Sequence, residues 1–225
     1  MLKAAVSIAA KDLKLVLARG TGLIQALLLG LLLIFVFSLS QQIGEKMSAQ
    51  AAAAIFWLAS VFCQVLVFNT LFSLEEQNGA RFGLLLSPAP VQAVWIGKAL
   101  GGFVLLLCAQ AVFLPATIVF LGQSVSHLWH IGLAMLIAID LGLILLGALL
   151  GALSQGQAAK ESLLSIILFP LLIPILLAGV RIGSATFSGI IPEGFGDWLG
   201  IACAFDALFG AAGLLLFGFI YSGEE

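Results

Sequence analysis

The chain of 225 residues is mostly apolar and carries few charges. Hydrophobic residues make up 62% of it, charged residues 9%, and the mean hydropathy is +1.22. A soluble domain carries roughly a quarter charged residues, so this chain has too few to cover itself with a hydrated surface. The composition excludes an ordinary soluble enzyme and predicts an integral membrane protein. The net charge of −2 gives no reason to expect a nucleic-acid partner.

Six apolar segments are each long enough to cross a bilayer. A transmembrane helix needs about 20 such residues, whereas a transmembrane β-strand alternates apolar and polar residues over about ten. Runs such as Leu27–Phe37 do not alternate. We therefore predict an all-α polytopic membrane protein with six transmembrane helices in one domain, residues 1–225. The predicted spans are residues 22–40, 51–73, 100–122, 128–153, 161–180 and 200–221.

Residues 1–21 are too polar to span the membrane, yet their apolar residues recur near helical spacing. Basic residues lie between these apolar positions, and Gly20 and Gly22 supply a flexible corner before the first span. The pattern predicts an amphipathic helix on the membrane surface, with lysine stems reaching the lipid headgroups. Its apolar positions are Leu2, Val6, Ala9, Leu13, Val16 and Leu17.

The basic residues are distributed unevenly between the two sides of the membrane. If the amino terminus is cytoplasmic, the inner side carries seven basic residues and the outer side only Lys46 and Arg181. Cytoplasmic loops carry the excess of lysine and arginine in membrane proteins. Both termini are therefore expected in the cytoplasm. The inner set is Lys3, Lys11, Lys14, Arg19, Arg81, Lys98 and Lys160.

The longest predicted cytoplasmic connection is residues 74–99. Asn78-Gly79 is a turn signal, and the apolar run Phe82–Leu86 is too short to span. Two prolines end that run, and a short helical stretch, 91–98, is expected to lead into the third span. Exposed apolar surface of this kind is typical of a partner-binding site. The alternative is a re-entrant piece that dips into the membrane interface.

A second irregular segment is expected on the outer side, at residues 181–199. It is rich in glycine and contains Pro192 and two acidic residues. We predict a partly ordered outer loop with Trp198 at the membrane interface, where aromatic rings are favoured.

Two aspartates lie inside predicted spans, Asp140 in the fourth and Asp206 in the sixth. A charge at the bilayer centre costs about 2.5–3.5 kcal/mol on insertion scales. Each should therefore face protein or water, or carry a proton. They mark either a substrate path or switch, or hydrogen bonds that set helix packing.

Pro170 and Pro174 are four residues apart in the fifth span, where each removes a backbone hydrogen bond and bends the helix. They form either a hinge or a static kink. In the fourth span Gly147 and Gly151 form a GxxxG pair, which permits close approach of a neighbouring helix. This pair is more consistent with packing than with function.

Motifs for enzyme chemistry are absent from the sequence. The three cysteines form no CxxC pair, and no metal cluster, carboxylate pair or Ser/His/Asp set is present. His127 and His130 share a helical face beside Trp129, which is ordinary at an interface, although imidazole also ligates haem iron. No catalytic residue, metal site or directly bound cofactor is expected.

Four stretches of the chain resemble one known family. They are Phe68–Phe72 with Glu76, Gly79, Leu84–Pro88 and Lys98; Lys11–Leu13 with Arg19; Leu146–Ala148 with Gly151–Leu153; and Leu168–Ile175. These stretches and the six-span layout resemble the CcmB family, haem exporter protein B, the membrane permease subunit of the cytochrome c maturation ABC transporter. The resemblance covers nearly the whole chain.

This resemblance implies an ABC-2-like permease in the bacterial inner membrane that couples to a separate CcmA-like ATPase. A CcmC-like haem-handling subunit and a CcmE-like haem chaperone would be its other partners, and two copies could pair. ATP would be hydrolysed on the partner, with haem as a candidate substrate. The chain has no GxxxxGK[ST] loop, which agrees with a transporter subunit that is not itself an enzyme.

On this interpretation the 74–99 connection is the coupling element pressed against the ATPase. Its apolar residues would fill a groove, and the flanking charges would orient it. The expected contact residues are Glu75, Glu76, Gly79, Arg81, Phe82, Leu84, Leu85, Leu86 and Pro88.

Three alternatives stay open on the sequence. The chain could be an ABC-2-type exporter permease for another substrate. It could be a transporter driven by an ion gradient, with Asp140 and Asp206 as proton carriers. It could also be a membrane scaffold that transmits force without transporting anything.

Overall fold

The computed structural model describes residues 1–41, 46–77, 83–84, 86–154 and 158–222. These ranges contain helices and no strand, which confirms the all-α prediction. The helices are α1 (Leu2–Arg19), α2 (Thr21–Leu39), α3 (Ala49–Gln77), α4 (Val91–Phe120), α5 (Trp129–Leu153), α6 (Ala158–Ser188) and α7 (Phe195–Ser222).

Helices α2 to α7 are each long and apolar enough to cross a membrane, as predicted. Their outward residues are largely apolar, since lipid and not water is the expected solvent there. Helix α3 lies at the centre of the bundle, against α2, α4, α5 and α6. Helices α2 and α7 are at the periphery, and most of their surface faces outward.

The amino-terminal helix is docked on the bundle. Its residues Ala5, Ile8 and Val16 are buried, and it packs against the first turns of α4. The approach is close because Gly97 of α4 has no side chain: a Cβ there would collide with the Ala5 carbonyl and with Ile8. Gly20 makes the predicted corner into α2 with a φ of +66°, a conformation that glycine adopts at little cost.

Two predicted connections are shorter in the structure because the helices run further. The outer loop predicted over 181–199 is reduced to residues 189–194, since α6 continues to Ser188 and α7 begins at Phe195. Arg181 stays helical and stacks its guanidinium over Trp198 at 5.8 Å. In the 74–99 connection, α3 continues to Gln77, and the predicted helical stretch 91–98 forms the first turns of α4.

The glycine pair of α5 lets α3 and α5 approach closely, as the GxxxG spacing predicts. A Cβ at Gly147 would collide with Gln64 and Phe68, and one at Gly151 with Phe72. The amide of Gln64 also donates a hydrogen bond to the Leu143 carbonyl. The contact between α3 and α5 is therefore set by side chains that fill the space above each glycine.

Gly147→Leu is expected to destabilise the protein by about 1–3 kcal/mol, because the added side chain overpacks this contact. The measurement is the unfolding temperature of the purified protein in detergent. Gly200→Leu is the matched control, since nothing lies within 4 Å of a Cβ at Gly200. Equal unfolding temperatures for the two variants would contradict the packing assigned to Gly147.

Candidate functional site at the α1 face

Four helices bring charged and polar side chains together at one end of the bundle. We call this end the α1 face; there α1 lies against the bundle, α3 ends, α4 begins and α7 ends. The side chains are Lys11 and Asp12 of α1, Glu75 of α3, Lys98 of α4 and Tyr221 of α7. We call these five residues the charged cluster.

Lys98 is the centre of the charged cluster and is fully buried. Its Nζ lies 3.0 Å from Asp12 Oδ2 and 3.0 Å from Glu75 Oε1. It also donates a hydrogen bond of 3.0 Å to the Leu71 carbonyl and lies 5.1 Å from the centre of the Phe72 ring. Of these three oxygen contacts, the one to the Leu71 carbonyl is a hydrogen bond and the two to the carboxylates are ion pairs.

The two carboxylates of the charged cluster are held from several sides. Glu75 Oε1 lies 3.2 Å from Lys11 Nζ in addition to Lys98, and Glu75 Oε2 accepts a 3.1 Å hydrogen bond from the Tyr221 hydroxyl. Asp12 Oδ1 lies 2.9 Å from Lys11 Nζ. Two lysines thus face two carboxylates, so the buried cluster carries no net charge. Buried charges are tolerated when they are paired in this way.

Lys11 is the member nearest to solvent. It lines a cavity of about 180 Å³ between α1 and α3. Partial burial acts to lower the pKa of Lys11, but the Asp12 and Glu75 carboxylates raise it by more. The pKa of Lys11 therefore lies above its ordinary value of 10.5.

This raised pKa predicts how Lys11 contributes to stability at different pH. A lysine whose pKa is higher in the folded chain contributes stability that is fully present below the unfolded pKa and lost as pH rises through the folded one. The contribution should be constant below the ordinary pKa of 10.5 and should be lost at higher pH, as Lys11 deprotonates in the folded chain. Thermal unfolding in detergent across this range measures it. An alkaline loss of equal size in Lys11→Met would contradict the assignment.

The structure separates the predicted partner-contact residues into different environments. Glu76, Leu86 and Pro88 are exposed, and Leu84 is half-buried. The side chain of Leu86 is 88% exposed, beside a turn in which the Ser87 hydroxyl donates a 2.7 Å hydrogen bond to the Leu84 carbonyl. The predicted contacts Gly79, Arg81, Phe82 and Leu85 lie outside the described residues.

Glu75 departs from the prediction of a partner contact. Its side chain is buried and bonded to Lys11, Lys98 and Tyr221. Glu75 and Glu76 were both predicted to contact the partner, but consecutive helical residues point about 100° apart. Glu76 faces outward, and Glu75 belongs to the interior of this chain.

The two intramembrane aspartates lie on different sides of α5. Asp140 is buried, and Gln110 donates a 2.7 Å hydrogen bond to its Oδ1 and a 3.3 Å bond to Ser60 Oγ. Asp206 of α7 instead contacts Gly142, which lies about 200° around α5 from Asp140. The structure thus gives Asp140 a helix-packing partner and does not join it to Asp206.

The predicted hinge and histidine residues lie away from the charged cluster. Pro170 and Pro174 both face outward on α6, which continues as one helix through them; the hinge stays a prediction. His130 lies edge-on to Trp129, and His127 lies beside Gly189. No group of three metal-binding side chains is found within the part of the chain that the structure describes.

A larger cavity of about 350 Å³ lies near the opposite end of the bundle. Aromatic and aliphatic side chains line it, among them Phe56, Trp57, Trp129 and Phe187. Among the lining residues that the structure describes, Thr186 is the one that bears a hydroxyl, and none is charged. The α1 face, which brings charges from four helices together, is therefore the stronger candidate for a functional site.

The sequence matches the family described as CcmB protein over residues 3–220. The chain belongs to the CcmB protein family. It is 25% identical over 190 residues to "Heme exporter protein B" of Pseudomonas aeruginosa, which covers 84% of this chain and 85% of that protein. It is 25% identical over 167 residues to the Haemophilus influenzae protein of the same name, covering 74% and 75%. For the Bradyrhizobium diazoefficiens protein of that name, the identity is 23% over 194 residues, covering 86% of each chain.

The CcmB match confirms the family suggested by the sequence stretches. Lys11, Asp12 and Lys98 belong to those stretches, but their meeting in one cluster was not predicted. Tyr221 was missed altogether. One sequence signal could have found the cluster. Asp12 and Lys98 each lie on a segment whose other inward residues are apolar, and charged residues are almost never fully buried unless they are paired.

Proposed function

We propose that this chain is the permease subunit of an ATP-driven transporter in cytochrome c maturation. It would couple a separate cytoplasmic ATPase to haem export or to the release of a haem-loaded chaperone. The observation that carries the proposal is the CcmB match over residues 3–220, together with relatives named for haem export. The six apolar helices support a multi-pass membrane subunit.

The α1 face would be the cytoplasmic side of the bacterial inner membrane. The seven basic residues of the predicted inner set favour this orientation over the reverse, which leaves two. Both termini and the connection between α3 and α4 would then face the compartment in which ATP is hydrolysed.

The connection between α3 and α4 would be the ATPase-contacting surface. Leu86 and Pro88 support this because they present apolar surface beyond the ends of both helices, and Glu76 adds an exposed carboxylate. An apolar anchor that enters a pocket on the partner supplies most of the binding energy in many interfaces. Gly79, Arg81, Phe82 and Leu85 stay predicted contacts on the strength of the resemblance.

Further partners follow from the same proposal. A CcmC-like subunit would handle haem, and a CcmE-like chaperone would receive it on the outer side. ATP would bind the partner ATPase, and no cofactor would be held by this chain. Pairing of two copies stays a prediction.

The alternative of an ion-gradient transporter receives less support. Proton carriers that act in series need a connected path, whereas Asp140 is bonded to Gln110 between α3, α4 and α5, and Asp206 lies across α5 from it. The hydrogen bond of Asp140 is what a packing role requires.

The experiment is purification of the tagged chain from its native membrane under mild detergent, followed by identification of the proteins that accompany it. We expect an ATP-hydrolysing subunit, and we expect deletion of this chain to abolish maturation of c-type cytochromes. Intact maturation in the deletion strain, or a purified complex without ATPase activity, would contradict the proposal.

A further inference from the structure

We propose that Lys98 is a positioning residue that transmits movement of the α3–α4 connection to α1 and α7 through the charged cluster. This inference rests on the proposed function, because the movement would come from the partner ATPase. It assigns a role to five residues from four helices that lie behind the proposed partner-contacting surface.

The first step is that Lys98 joins the two helices on either side of the connection. Glu75 lies in the last turn of α3, and Lys98 lies two turns into α4. The Lys98 ammonium holds both the Glu75 carboxylate and the Leu71 carbonyl at 3.0 Å. A force on the connection would therefore displace the end of α3 and the start of α4 together.

The second step is that the same groups reach two further helices. Lys98 contacts Asp12 of α1, and the Glu75 carboxylate accepts a hydrogen bond from the Tyr221 hydroxyl of α7. Tyr221 is fully buried, and its ring stacks on Phe217 with the ring centres 5.2 Å apart. The carboxyl-terminal end of α7 is thus tied to the connection, although the two are far apart in sequence.

The third step concerns the kind of contact. Apolar packing already holds α7 against its neighbours, as where Trp95 of α4 fills the space above Gly213 of α7, and the polar contacts add a directional restraint at its end. Hydrogen bonds and ion pairs require particular distances and angles. The charged cluster therefore fixes the register of α7 and α1 against the connection, and α7 continues to Phe195 near the opposite face. It is the element suited to carry the movement across the membrane.

The experiment uses the complete transporter, reconstituted with its ATPase, and two pairs of spin labels. One label is at Ile137→Cys on α5, which contributes nothing to the charged cluster. In the first pair, the second label is at Pro88→Cys on the connection. In the second pair, it is at Phe219→Cys near the end of α7. All three labelled positions are outward-facing or partly exposed. The native cysteines, Cys63, Cys108 and Cys203, are replaced by alanine.

In the wild-type background, ATP is expected to shift both label distances. Tyr221→Phe keeps the ring but removes the hydroxyl, so the Pro88 distance should still shift while the Phe219 shift is lost.

Lys98→Arg keeps the charge and should restore part of the α7 shift relative to Lys98→Met. The triple variant Asp12→Asn, Glu75→Gln, Lys98→Met keeps the approximate shapes and leaves one charge in the cluster, on Lys11, the member nearest to solvent. It should behave like Tyr221→Phe. Lys14→Met, exposed on α1, is the matched control.

The outcomes separate this inference from the proposed function. If the α7 distance shifts by the wild-type amount in both Tyr221→Phe and the triple variant, the positioning role is wrong and the proposed function stands. If ATP moves neither label pair in the wild type, or no ATPase assembles with the chain, the proposed function is wrong and the inference fails with it.

Discussion

Replacement of Lys98 by methionine is expected to lower the free energy of unfolding by about 3–5 kcal/mol, the usual cost of removing one partner from a buried ion pair. Methionine fills similar space, so the loss is electrostatic. Asp12 and Glu75 would face each other with Lys11 as their remaining ammonium neighbour in the cluster. The unfolding temperature and the folded yield in detergent measure the effect.

Two further variants make the Lys98 prediction specific. Lys14→Met removes an exposed lysine from α1 and should change stability little. Adding Glu75→Gln to Lys98→Met removes the excess negative charge and should recover part of the loss. If Lys98→Met were as stable as the wild type, or if the second substitution deepened the loss, the charged cluster would not be the stabilising unit inferred from the distances.

If the proposed ATPase binds the α3–α4 connection, Leu86→Asp is expected to weaken its association by about 2 kcal/mol or more, the size of an interface hot spot, which corresponds to roughly thirtyfold in affinity. The side chain is 88% exposed, so aspartate should not disturb the fold of the chain. Instead it would place a charge in an apolar pocket of the partner. Copurification of the ATPase, and a titration of the reconstituted complex, measure the change.

The control for Leu86 is an exposed apolar residue at the other end of the bundle. Ile190 lies in the short connection between α6 and α7 and is 71% exposed. Ile190→Asp should leave ATPase association unchanged because it would lie on the outer side. Unchanged association in Leu86→Asp would remove this residue from the interface.

The spans were predictable from sequence because an uninterrupted apolar run of bilayer length is typical of a membrane-crossing helix and rare in soluble proteins. Their ends were less predictable. Arg181 was placed in the outer loop, yet it lies within α6, and Lys98, predicted in the short helical stretch 91–98, lies within the long helix α4. A long basic side chain permits this when its charge finds a partner, as Arg181 does over Trp198 and Lys98 does between two carboxylates.

The charged cluster could not be predicted because its members are brought together by tertiary packing alone. Tyr221 is 146 residues from Glu75 in sequence, and no short spacing relates them. The two adjacent acids, Glu75 and Glu76, look equivalent in the sequence, and their opposite environments follow from the helix angle and from the position of Lys98. The close contact at Gly147, in contrast, was visible in the GxxxG spacing.

A photo-reactive residue placed at Leu86 in the native complex gives the most direct test of the proposed coupling to an ATPase. Illumination should join the chain to the ATP-hydrolysing subunit, and a cysteine at the same position should react with an impermeant reagent from the cytoplasmic side alone. Labelling of that cysteine from the outer side, with no cross-link to the ATPase, would contradict the account.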